Sequence, residues 1–118
     1  MKTRYADVVP YVTRDGSLIR ELMHPRVHGS AAQSLAEAEV APGGATLLHL
    51  HRVTEELYHV TAGEGVMVLG DMRLAIGAGD TVCIPPGTPH CVENTGRGAL
   101  KILCCCSPAY SHEDTVLL

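Results

Sequence analysis

An all-β fold of the sandwich or barrel type follows from three features of this 118-residue sequence. Short strand-forming runs recur at regular intervals between Gly-, Pro- and Asp-rich turns, the pattern of many short antiparallel strands. Asp15-Gly16 sits between two apolar runs, a strong hairpin signal. The segment from Thr46 to Arg52, TLLHLHR, is rich in strand formers and carries two histidines one residue apart. Side chains alternate faces along a strand, so both imidazoles point the same way.

The elements follow in order. Residues 5–24 predict a hairpin, with arms Val8 to Thr13 and Ser17 to Met23 about a turn at Arg14-Asp15-Gly16. His24 to Ser30 reads as a loop because of its Pro and Gly. Gln33 to Val40 suits a strand or a short helix on local propensity. Ala41-Pro42-Gly43-Gly44 is a turn before the strand Leu47 to Arg52. Glu56 to Thr61 is the next strand, with Gly63-Glu64-Gly65 turning into Val66 to Leu69 as its hairpin partner. Gly70-Asp71 leads to Met72 to Ile76, and Gly77 to Asp80 to Thr81 to Ile84. Pro85 to Pro89 forms a stiff bend before His90. Cys91 to Asn94 and Ala99 to Cys106 are the last long strands. In the tail, 107–118, Ser111 and Asp114 have the spacing to cap one helical turn, and an extended tail fits equally.

His49 and His51 are followed by Glu56 and, after the turn-rich stretch, by His90. Three imidazoles, one carboxylate and no thiolate suit a reactive divalent transition metal (Fe, Mn, Ni, Co, Cu or Zn) better than a structural zinc. Four such ligands leave one or two coordination positions open for chemistry. Glu55 is the rival carboxylate, but alternation sends Glu56, Tyr58 and Val60 to one face and Glu55, Leu57 and His59 to the other.

The spacing extends beyond the quartet. From Gly43 to Gly63 the chain reads G-x5-H-x-H-x4-E-x6-G, and from Gly79 to Asn94 it reads G-x5-P-x-G-x2-H-x3-N. These segments resemble the two signature motifs of the cupin superfamily, with every signature position filled across 43–94. The resemblance implies a double-stranded β-helix, or jelly roll, and decides for strand over helix at Gln33 to Val40. It implies one cupin domain over 1–118, with the hairpin 5–24 and the tail 107–118 packed on the motif core. It selects Glu56 as the carboxylate ligand through its x4 spacing, and it implies a homodimer. Apolar Val8 to Val12 and Val116 to Leu118 could supply the dimer contacts by adding strands to a partner's sheet.

Further residues stand as candidates around the site. Tyr58 is expected to line the pocket, either offering its hydroxyl to a substrate or packing in the core. With Lys101 facing water, Leu100, Ile102, Cys104 and Cys106 turn inward, so Cys104 comes within reach of the pocket. Cys83 and Cys91 read as core residues. An odd count of five cysteines, three in succession, is a poor disulfide framework, and all are expected as free thiols. His24, His28 and His112 read as solvated. Arg20, Arg52 and Arg73 could grip a substrate anion, although no spacing selects any of them.

A net charge of −4 without a basic run argues against nucleic acid. The opening MKTRYADVVPY has no apolar signal core and no run approaches 18 apolar residues, so a cytoplasmic protein outside the membrane is expected. The expected function is that of a metal-dependent enzyme acting on a small molecule, with dioxygenase-type cleavage favoured. A sugar or keto-acid isomerase or epimerase is the alternative, and a non-catalytic metal-stabilised binding or sensor protein the third. With no Phe and no Trp, the pocket is expected to be aliphatic and to favour a small apolar or dicarbonyl substrate.

Overall fold

The computed structural model describes all 118 residues as eleven strands in two antiparallel sheets, with one short 3-10 turn at Tyr5–Asp7. In chain order the strands are β1 Tyr11–Val12, β2 Leu18–Met23, β3 Ser34–Val40, β4 His49–His51, β5 Glu55–Ala62 and β6 Glu64–Leu69. They continue with β7 Met72–Gly77, β8 Thr81–Ile84, β9 His90–Asn94, β10 Leu100–Ser107 and β11 Thr115–Leu117. One sheet has the order β1-β2-β3-β10-β5-β8 and the other β11-β4-β9-β6-β7. This is the expected jelly roll. No helix is long and apolar enough to cross a membrane.

Three expectations for the elements are corrected. The first hairpin arm shrinks to Tyr11–Val12, because Pro10 has no N–H to give a ladder. Val66 to Leu69 does not pair with the strand before it: β5 and β6 lie in different sheets, and β6 pairs with β7 and β9. The chain changes sheets at Gly63, where φ is +83° and a Cβ would lie 2.5 Å from the carbonyl oxygen of Ala99. The tail forms a turn whose Asp114 N–H donates to Ser111 Oγ at 3.1 Å, then β11 pairs with β4.

Strand alternation builds the interior in graded rows. β10 is buried at every second residue, and its partners run Ala38–Ile102–Val60, then Ala36–Cys104–Tyr58, then Ser34–Cys106–Glu56. The first row belongs to the apolar core with Met67, Ile84, Val92 and Leu100, each contributing about 2 kcal/mol by leaving water. The last row is polar and opens into a cavity. The same strands that close the core therefore carry side chains to the site.

Candidate metal centre

His49 and His90 face each other as a cross-strand pair on β4 and β9, and His51 lies two residues along β4 from His49, on the same face. One nitrogen from each of the three rings lies within 4.8 Å of the others, and all three rings are buried. The bend before His90 is tied to β4 by the Gly87 N–H, which donates to the His51 carbonyl at 2.7 Å.

The outer nitrogens fix the tautomers. Nδ1 of His49 lies 2.7 Å from the Leu47 carbonyl, and Nδ1 of His90 lies 2.9 Å from the Thr88 carbonyl. A carbonyl only accepts, so both Nδ1 atoms carry the proton. For His51 the partner is Thr115 Oγ1 at 3.0 Å, whose own proton goes to the Ser111 carbonyl at 2.9 Å. Thr115 must then accept from His51 Nδ1–H. All three Nε2 atoms are left as lone-pair acceptors, with those of His51 and His90 beside Glu56.

Glu56 adds a further acceptor. Its Oε1 is 3.1 Å from His51 Nε2 and 3.4 Å from His90 Nε2, while Oε2 accepts from the Cys106 thiol at 3.3 Å. Burial pushes the Glu56 pKa up, but a proton on the Nε2 of His51 or His90 would outweigh it by hydrogen bonding and charge and bring it down to about 2, so with the rings neutral the carboxylate needs another cation in that place. Burial and the neighbouring His90 lower His49. His90 Nε2 is buried without any hydrogen-bond partner. A buried cluster made only of acceptors is unfavourable unless a cation or other donor joins it, and three imidazole nitrogens with one carboxylate oxygen fit a divalent transition metal.

The other candidates are placed as follows. Tyr58 and Cys104 both line the cavity. Burial and the Glu56 charge hold both well above their usual ranges, so Cys104 is a neutral thiol rather than a reactive thiolate. Glu55 and His59 are exposed, as alternation predicts. All five cysteines are free, but Cys83 is exposed and Cys91 only half-buried, so neither is a core residue. His24 is buried, its Nε2 2.7 Å from the Tyr110 carbonyl, and so is not solvated. None of the arginines reaches the cavity; Arg20 pairs with Glu37 and Glu39 on the sheet.

The pocket itself departs most from expectation. Its volume is about 50 Å³, room for a small ligand or a few waters. The wall is mixed rather than purely aliphatic: Tyr11, Tyr58 and Tyr110, three of the four tyrosines in the chain, gather there with Ile19, Ala36, Ala38 and two cysteines, and Ser, Thr and carboxylate groups are set among them. Asp15 belongs to it, with Oδ2 3.8 Å from His49 Nε2. Sequence reasoning placed Asp15 in a turn and Thr115 in a tail, and saw no link to histidines tens of residues away. Only the inward parity of Cys106 was visible.

Comparison with known proteins agrees with this architecture. A family model described as "Cupin domain" matches residues 36–106. An uncharacterised protein of Methanocaldococcus jannaschii is 52% identical over 118 residues, covering 100% of this chain and 94% of its own length. A crystal structure of a predicted oxalate decarboxylase from Thermotoga maritima superposes with a TM-score of 0.80 at 26% identity, covering 92% of this chain and 99% of that one. The polyketide cyclase RemF from Streptomyces resistomycificus gives a TM-score of 0.78 at 25% identity, covering 97% and 88%.

Proposed function

Because this chain belongs to the cupin domain family, we propose that it is a metal-dependent enzyme acting on a small molecule. The observation that carries the proposal is the buried, acceptor-only cluster of His49, His51, His90 and Glu56, with His90 Nε2 unpartnered. These four residues would hold one divalent transition metal ion per chain. When bound, the ion supplies a Lewis acid with open positions for substrate oxygens.

The chain's own residues do the rest. Leu47, Thr88 and Thr115 fix the rings through Nδ1, so that only Nε2 faces the ion. Cys106 turns Glu56 so that Oε1 points at the histidines. Tyr58 lies beside His90, ring centroids 5.9 Å apart, and would bound the substrate on that side.

The favoured reaction is oxygen-dependent cleavage, in which O2 is the oxidant and both of its atoms enter the products. A specific observation supports a second reaction: the Asp15 carboxylate beside His49 could accept a substrate proton, as an isomerase requires. Oxygen uptake separates the two, since turnover under strict anaerobiosis removes the dioxygenase reading. The metal is tested first. Protein stripped with chelator and dialysed against Co2+ or Mn2+ should take up one ion per chain by elemental analysis, and His51→Ala should take up none. A wild-type protein that takes up no divalent ion would end the proposal.

A further inference from the structure

The charge of the cavity wall narrows the ligand. Three carboxylates line it, those of Asp15, Glu21 and Glu56, and no lysine or arginine does. The arginines next in sequence to Asp15 and Glu21 are committed elsewhere. Arg14 donates to the backbone carbonyls of His112 and Thr115, and Arg20 to Glu37 and Glu39.

Asp15 is fixed in place by several bonds. Its Oδ1 accepts from Ser17 N–H and Oγ–H at 2.9 and 2.7 Å, which shapes the turn. Its backbone carbonyl accepts from Leu47 N–H at 2.8 Å, tying that turn to the residue two before His49. Oδ2 is left over, near His49 on its cavity-facing nitrogen. Asp15 contacts His49 alone, whereas Glu56 contacts His51 and His90. The two carboxylates thus serve different members of the histidine group.

Glu21 stands in a separate row. Its cross-strand partner is Ala36, which continues through Cys104 to Tyr58, so the side chain shares their inward face. Tyr11 donates to Oε2 at 3.4 Å, but Oε1 is buried with no partner. A buried carboxylate oxygen without a donor is unfavourable, and a ligand hydroxyl would satisfy it.

Resting on the metal reading above, we propose that the cavity selects uncharged, hydroxyl-bearing small molecules over carboxylates and phosphates, with Asp15 and Glu21 as the residues that set this preference. A divalent ion is balanced by Glu56 and Asp15, and Glu21 then leaves the cavity negative. An incoming anion meets uncompensated like charge at short range and in a low dielectric. A neutral hydroxyl compound meets acceptors for its O–H groups instead.

Co2+-loaded protein provides the test, titrated with azide and with hydroxyacetone and followed by the visible absorption of the cobalt. Asp15→Asn keeps the oxygen that accepts from Ser17 and removes only the charge, so the turn survives. Glu21→Gln is the second variant, and the double variant the third. The ratio of azide affinity to hydroxyacetone affinity should rise at least tenfold in the double variant and in part in each single one. A rise of under threefold in the double variant, or no response of wild-type protein to hydroxyacetone, overturns the proposal. Wild-type protein that loads no Co2+ overturns the metal reading, and this one with it.

Discussion

Cys106 is a weak donor in a decisive place, because it holds the oxygen of Glu56 that does not face the histidines. Cys106→Ala should weaken metal binding about tenfold, in line with other groups that orient ligands, while Cys106→Ser should stay within a few-fold of wild type. Competition with a chelating dye measures both. Thr115→Val removes the acceptor for His51 Nδ1–H and should lower affinity by a similar factor. Glu21 is predicted through its titration. Burial raises its pKa, with His24 and the Tyr11 bond opposing, so the folded state holds the proton somewhat more tightly than the unfolded chain does. That preference stabilises the fold below the usual carboxylate pKa of 4.5 and is lost as pH rises through the raised value. Relative to wild type, Glu21→Gln should therefore gain in Tm from pH 4 to pH 8. A Tm difference that shrinks over that range would contradict the burial of this side chain.

Among the elements, the short C-terminal strand does more than its three residues suggest. β11 covers β4, and the turn before it clamps the loop after His51: Asp114 accepts from Val53 N–H and Thr54 N–H at 2.9 and 3.1 Å. Asp114→Ala should cost about 1–2 kcal/mol, or roughly 5 °C in Tm, read by thermal unfolding with and without metal. This element was hard to read in advance for a physical reason. A three-residue strand carries almost no periodicity, and its partner is over sixty residues away in sequence. β5 and β10 were legible because eight alternating residues state which face is inside. The two histidine motifs were legible because ligands two apart on a strand must converge. Asp15 was half-legible: its role in the turn follows from local chemistry, but its approach to His49 depends on the packing of β4 against the hairpin. The β5–β6 link misled because a glycine-rich junction looks the same whether the chain folds back or changes sheets.

At the scale of the whole molecule, both sheets end in short strands with apolar surface. β1 pairs only with β2 and β11 only with β4, while Val9, Val12, Leu117 and Leu118 are exposed. Open edges of this kind favour pairing with a second copy. Light scattering at micromolar concentration should give the mass of two chains, and Val12→Asp combined with Leu117→Asp should reduce it to one. A single-chain mass for the wild type would contradict the homodimer.

The turn at Arg14 to Gly16 contributes no histidine and no part of the apolar core, yet it delivers a charged group beside His49. On the reading proposed above, one loop side chain would thus bear on both the ion and the choice of ligand. Replacing Asp15 by lysine would remove the acceptor that Ser17 uses and set a cation beside His49, so the turn cannot be recharged without also disturbing the group that would hold the ion.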